Sequence, residues 1–119
     1  MNYRYSPEII KSLEKRAGTL RNLTLDMCTN TGAGHVTSSF SSAEILAVLY
    51  FGGVLRYDPK KPEWSERDRF ILSKGQASPI LYTTLAEAGF FPAKRLETLC
   101  QKNGKFGVHL QNNVPGVEI

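Results

Sequence analysis

Residues 68–79 of the chain read Asp68-Arg69-Phe70-Ile71-Leu72-Ser73-Lys74-Gly75-Gln76-Ala77-Ser78-Pro79. The apolar run has the length of a strand, and the polar turn after it leads to a proline that suits the first turn of a helix. In open α/β sheets, ligands bind at such turns, beyond the carboxyl ends of the strands. The pattern therefore predicts an α/β fold class with one clear strand, near Arg69 to Ser73. Gln76 becomes a candidate pocket residue, with capping of the following helix as the alternative role.

A second polar segment lies upstream, between two helical patterns. It consists almost wholly of glycine, hydroxyl residues and one imidazole, in the order Asn30-Thr31-Gly32-Ala33-Gly34-His35-Val36-Thr37-Ser38-Ser39-Phe40-Ser41. Its glycines allow close backbone approach to a ligand, and a connector that only turns the chain needs neither a histidine nor a row of hydroxyls. His35 is thus a candidate site residue. A solvated loop with an incidental histidine is the alternative that this segment leaves open.

Helical patterns occupy most of the remaining chain. Ser6 and Pro7 are typical N-cap and first-turn residues, and Ser41 with Glu44 matches a capping box. The predicted helices are Pro7 to Cys28, Ala43 to Phe51, Pro79 to Ala88 and Ala93 to Lys102. Because the second helix is apolar on almost every side, we expect a missing portion of the protein or a partner chain to cover it.

Composition excludes several classes of function. The 119 residues suit one domain, and the net charge of +4 comes from 15 basic residues largely interleaved with 11 acidic ones, unlike a nucleic-acid footprint. No apolar run reaches the ~20 residues of a membrane helix, and no signal peptide is evident, so we expect a cytoplasmic protein. Cys28 and Cys100 lack the spacing of a zinc site and are expected to be buried thiols.

Motifs spread over most of the chain resemble the opening of transketolase. In order they are Gly34-His35, Asp58-Pro59, Trp64, Arg67 to Ala77, His109 and Pro115-Gly116-Val117-Glu118. The segment D-R-F-x-L-S-x-G is the most specific single piece. The run Leu46 to Phe51 is most similar to the N-terminal subunit of the split, two-subunit transketolases. The resemblance implies that residues 1–119 are the N-terminal part of a doubly wound thiamine diphosphate-binding domain, predominantly helical in this fragment.

That resemblance also implies a function. Members of the family transfer a two-carbon ketol unit between sugar phosphates, as in pentose phosphate metabolism, with thiamine diphosphate at a subunit interface. His35 matches a family histidine at the reacting end of the substrate, and His109 matches one near the thiazolium, so both are expected to be catalytic. His109 and Gln76 are expected to contact the cofactor. The implied partners are further copies of the chain and a C-terminal transketolase subunit.

The chain departs from the family pattern in three ways. Gln76 stands where the family usually has histidine, and one extra residue separates Gly107 from His109. The family's glycine-rich segment and its magnesium-binding motif, which follow P-G-V-E, are not present, so we expect a truncated subunit, inactive alone, whose magnesium ligands are not in this chain. A noncatalytic interaction or scaffold module derived from this domain is the alternative.

Overall fold

The structure of the chain is a computed structural model that describes residues 5–31, 40–73, 77–98 and 114–118. Three α-helices and one short 3-10 helix are described over their length. They are α1 (Pro7–Thr31), α2 (Ala43–Phe51), α3 (Ser78–Ala88) and the 3-10 helix Ala93–Thr98. None of the described helices is both long and apolar enough to cross a membrane.

Helix α1 begins as predicted and runs past Cys28 to Thr31. The amide of Ile9 donates to the Ser6 hydroxyl at 3.3 Å, which is the N-cap interaction expected of this serine. The buried face starts only at Ala17, whereas Ile9 is 44% exposed. Gly18 does not mark a close packing contact of α1, because a Cβ there would have no neighbour within 4 Å.

Helices α1 and α3 pack antiparallel. Arg16 of α1 donates to Glu87 of α3 at 3.3 Å. Thr24, about two turns later in α1, donates to Thr83, about one turn earlier in α3, at 3.2 Å. The C-terminus of α1 therefore lies beside the N-terminus of α3.

Helix α2 is also antiparallel to α1. Arg21 of α1 is paired with Glu44 in the first turn of α2, and the Arg16 guanidinium lies 4.3 Å from the ring centroid of Phe51 at the end of α2. The C-terminus of α1 and the N-termini of α2 and α3 thus gather at one end of the molecule, which we call the loop end. The opposite end, where α2 and α3 finish, is called the closed end.

The prediction of a clear strand at Arg69 to Ser73 is wrong. No strand occurs in the ranges that the structure describes. Burial does alternate, because Phe70 and Leu72 are half-buried while Arg69, Ile71 and Ser73 are exposed. A strand also needs a hydrogen-bond ladder to a neighbour, and no such neighbour lies in the described ranges. The α/β prediction is therefore corrected to a helical architecture in the described part of the chain.

The connector between α2 and this segment also differs from expectation. Its two prolines predict a stiff, extended path, but three turns follow one another: Lys61 donates to Asp58, Trp64 to Lys61, and Arg67 to Trp64, all through backbone groups at 2.9–3.2 Å. The Asp58 carboxylate supports the first turn by accepting from the Lys60 amide at 2.9 Å, the local interaction for which aspartate is favoured in turns.

Helix α2 has its predicted bounds but not the predicted cap, and the described residues leave one of its faces uncovered. The N-cap is Ser42, which makes no side-chain capping bond, and Glu44 of the predicted box is paired with Arg21 instead. Ala43, Leu46, Ala47 and Tyr50 are buried. Ile45 is 60% exposed and Val48 37%, so one apolar face of α2 lies open.

The last two predicted helices have mixed outcomes. Helix α3 carries Pro79 in its first turn and ends at Gly89, whose φ of 99° is left-handed, as predicted. The fourth helix was predicted as Ala93 to Lys102, but its described part is the 3-10 helix Ala93–Thr98. Residues 99–113 lie outside the described ranges, so Cys100 is not placed, whereas Cys28 is buried, as predicted.

Candidate functional site

The three predicted site residues, His35, Gln76 and His109, all lie outside the described ranges. The structure does describe the residues from which two of these segments depart and to which they return. Residues 32–39 connect Thr31 at the end of α1 to Phe40, just before α2, and residues 74–76 connect Ser73 to Ala77, the N-cap of α3. Their attachment points at helix ends therefore belong to the loop end.

Two helix N-termini face this end. Neither N-cap residue, Ser42 of α2 or Ala77 of α3, makes a side-chain capping hydrogen bond. The first amides of a helix have no partner within it, and the helix dipole adds a partial positive charge there. The helix dipoles thus add partial positive charge at the loop end, where Glu44 in the first turn of α2 contributes a negative charge.

The start of α3 is held rigidly in the core. All residues from Ser78 to Leu85 are buried. The Thr83 hydroxyl accepts from Thr24 and donates to the Pro79 carbonyl at 3.0 Å, and Thr84 donates to the Ile80 carbonyl at 2.7 Å. These hydroxyls are engaged within the core, so they fix the position of α3 rather than contribute to chemistry at its end.

The closed end is organised by an ion pair that the sequence analysis did not identify. Arg67 donates to the two carboxylate oxygens of Glu118, from Nε at 2.9 Å and from Nη2 at 3.0 Å, and its Nη1 donates to the Trp64 carbonyl at 2.9 Å. The hydrogen bond to Glu118 raises the pKa of Arg67. This two-point pairing ties the P-G-V-E corner (114–118) to the connector. Both residues belong to motifs of the family resemblance, but they are far apart in sequence and no spacing rule predicts that they pair.

Gly116 brings the same corner against α3. Its φ is 92°, a conformation that favours glycine. A Cβ at this position would lie 2.8 Å from Cδ1 of Phe90 and 3.0 Å from Cδ2 of Leu85. Val114 and Val117 on either side are buried. The P-G-V-E motif, one of those that carried the family resemblance, therefore packs against the core at Gly116.

Aromatic rings fill the space beneath the corner. Tyr50 lies edge-on to Phe70 with centroids 6.2 Å apart, and Tyr57 stacks on Phe90 at 5.6 Å. The Tyr57 hydroxyl donates to the Tyr50 carbonyl. Burial raises the pKa of both phenols.

A second ion pair lies at the same end. Asp68 accepts from the amide and the guanidinium of Arg56, and the backbone bond is the main reason that the pKa of Asp68 is lowered.

The described residues do not form a cofactor or metal site. Among them, no group of three or more histidine, cysteine, aspartate or glutamate residues could hold a metal ion. The open pocket beside the corner has a volume of about 450 Å³ and is lined by Glu63 and Glu118, whose charges disfavour a diphosphate. The nearby guanidinium of Arg67 is already bound to Glu118.

Comparison with known proteins assigns the family. A family described as "Transketolase, thiamine diphosphate binding domain" matches residues 12–119. The chain is 47% identical over 87 residues, or 73% of its length, to the 6-deoxy-6-sulfo-D-fructose transketolase subunit SqwG of Clostridium sp. (strain MSTE9). It is 32% identical over 110 residues, or 92% of its length, to an apulose-4-phosphate transketolase subunit of Phocaeicola vulgatus.

A solved structure agrees with this assignment. Transketolase from Leishmania mexicana superimposes on 90% of the chain with a TM-score of 0.84 and 30% sequence identity. The chain spans 31% of the Clostridium subunit, 39% of the Phocaeicola subunit and 16% of the Leishmania transketolase chain. The similarity thus concerns one part of each relative.

Proposed function

The chain belongs to the transketolase thiamine diphosphate-binding domain family, and we propose that it is part of a split transketolase subunit that transfers a two-carbon ketol unit between sugar phosphates. The observation that carries the proposal is the family match over residues 12–119. The split type is supported because two of its relatives are themselves named as transketolase subunits. In this proposal the isolated chain is inactive, and the complete enzyme works in the cytoplasm.

The proposed roles of the site residues follow from the family motifs. When bound, thiamine diphosphate supplies carbanion chemistry through its ylid. His35 and His109 are proposed to donate hydrogen bonds and move protons at the reacting atoms, since imidazole titrates near neutrality. Gln76 is proposed to donate a hydrogen bond to a diphosphate oxygen, which an amide can do, whereas it cannot carry a proton. Magnesium is proposed to accompany the diphosphate, bound by residues outside this chain.

The loop end supports these roles physically. Residues 32–39 and 74–76, which contain His35 and Gln76, are attached there to the ends of antiparallel helices. The N-termini of α2 and α3 add partial positive charge at that end, which suits a diphosphate. The buried start of α3 supplies a rigid support for the segment before it.

A partner subunit is proposed to cover the open face of α1 and α2. Ile10 is 48% exposed and Ile45 60%, and an apolar groove between the two helices is lined by Tyr5, Leu13 and Val48 among others. We assign this face to the C-terminal transketolase subunit, because the related Clostridium and Phocaeicola proteins are named as subunits. The complete enzyme would contain further copies of both chains.

Calorimetry with thiamine diphosphate and magnesium tests the proposal. We expect no tight binding by the 119 residues alone, because the metal ligands and further diphosphate contacts lie elsewhere. A chimera that continues the chain with the remainder of the Clostridium subunit is expected to bind the cofactor and, once the C-terminal subunit is present, to transfer ketol units. A folded chimera that pairs with that subunit but binds no cofactor would instead favour the noncatalytic module.

The proposed face has its own test. Ile45→Glu should abolish association between the chimera and the C-terminal subunit in light scattering, since it buries a charge in an apolar contact. Lys60→Glu, an exposed change in the connector, is the matched control and should leave association intact. Association that survives Ile45→Glu would assign the partner to another surface.

A further inference from the structure

A small cavity at the closed end lies between the aromatic rings and the P-G-V-E corner. Its lining includes Tyr50, Arg67, Asp68, Phe70 and Glu118. The space open to the centre of a water molecule is about 20 Å³, and roughly 10–15 Å³ is enough for one ordered water. The cavity is therefore of a size for a single water and too small for an organic ligand.

One residue that lines this cavity has a hydroxyl without a hydrogen-bond partner within the described ranges. Tyr50 is only 7% exposed, and among the residues that the structure describes its hydroxyl makes no hydrogen bond, although its carbonyl accepts from Tyr57. Leaving a buried hydroxyl without a partner is unfavourable, because the group loses its hydrogen bonds to water. The Glu118 charge acts on this phenol and adds to the effect of burial in raising its pKa, so the phenol stays protonated and able to donate.

We propose that the cavity is a binding site for one structural water, which accepts from the Tyr50 hydroxyl and donates to the Glu118 carboxylate. Each Glu118 oxygen accepts one bond from Arg67 and keeps a further lone pair for the water. Tyr50 and Glu118 both line the cavity, and a water that bridges two polar groups is nearly as favourable enthalpically as a direct hydrogen bond. The water would link α2 to the P-G-V-E corner and complete the network that begins at Arg67.

Water-oxygen relaxation dispersion, which counts long-lived internal waters, tests this site in the chain itself. Tyr50→Phe should have one such water fewer than the parent chain, because the bridging donor is lost. Tyr5→Phe is the matched control: its hydroxyl donates directly to the Gly52 carbonyl at 3.0 Å and Tyr5 does not line this cavity, so the count should not change. An unchanged count in folded Tyr50→Phe would overturn the proposal.

A crystal structure of the parent chain decides the matter if Tyr50→Phe does not fold. We expect electron density for one water within hydrogen-bond distance of both the Tyr50 hydroxyl and a Glu118 oxygen. An empty cavity, or one filled by a side chain of the protein, would refute the site. Neither result bears on thiamine diphosphate binding, so the proposed function is tested separately.

Discussion

The two ends of the molecule are built by different means. The closed end is filled by aromatic side chains and joined by Arg67 to Glu118, so segments distant in sequence are held by side-chain contacts. The loop end is formed by helix termini, and the chain between them is rich in glycine and hydroxyl residues. Stability can therefore reside at one end while the proposed chemistry resides at the other, and substitutions can separate the two.

The largest expected effect is on activity at the loop end. In the completed and paired enzyme, His35→Ala or His109→Ala should lower turnover by ~10²–10⁴-fold, as is typical when a general acid or base is removed. Gln76→Ala should cost less, about 0.5–1.5 kcal/mol, because it removes one neutral hydrogen bond. Steady-state kinetics and urea unfolding should be measured together. If both histidine variants kept full turnover while Gln76→Ala abolished it, the proposed roles would be wrong.

The next effect is on stability at the closed end. Gly116→Ala should lower the free energy of unfolding by about 2–4 kcal/mol, because the methyl group overpacks Phe90 and the left-handed backbone disfavours a side chain. Gly53→Ala is the matched control, with φ of 75° but no atom within 4 Å of the added Cβ. In urea unfolding, Gly53→Ala should lower the free energy of unfolding by only about 1–2 kcal/mol, the cost of a left-handed backbone for a residue with a side chain. Equal losses at the two positions would contradict the packing argument.

A smaller effect on stability is expected between the two ends, in the buried contact of α1 with α3. Thr83→Val removes the acceptor for the Thr24 hydroxyl and should cost about 1–3 kcal/mol. Thr24→Val should cost less, because Thr83 still donates to the Pro79 carbonyl. The double variant should lose less than the sum of the two single losses, since no hydroxyl is then left unpaired. Strict additivity in a thermal or urea double-mutant cycle would show that the hydroxyls do not interact.

Local signals in the sequence predicted most of the helical structure. Ser6, Pro79 and Gly89 act on their own helix ends, so their roles could be found without knowing the fold. The prediction of a strand at Arg69 to Ser73 was wrong because it rested on a local pattern alone. Alternating burial is a local property, whereas a strand also requires hydrogen bonds to a neighbouring strand.

Contacts between distant residues account for what the sequence did not reveal at the site. The pairing of Arg67 with Glu118 has no spacing rule, so the closed end could not be predicted. The imidazole of His35 and the glycines beside it are recognisable in the sequence alone, because ligand-facing segments use unusual residue types. The function was thus predicted from motifs at both ends of the molecule, and the structure shows that two residues of these motifs, Arg67 and Glu118, hold the closed end together.

The smallest effect is expected in the acid range, at the exposed edge of the closed end. The Arg56 amide lowers the pKa of Asp68 from its ordinary 3.8, so the folded state prefers the carboxylate form. As pH falls below about 4, the unfolded chain takes up this proton first, and the stabilisation is lost as pH passes through the folded pKa. Asp68→Asn should therefore flatten the dependence of the unfolding free energy on pH below about 4. The change should be slight, because the Arg56 side chain is 68% exposed and its charge is screened by solvent. Urea unfolding at a series of pH values would measure this change. If the dependence of the unfolding free energy on pH were the same in Asp68→Asn, neither of the bonds from Arg56 to the Asp68 carboxylate would contribute to stability.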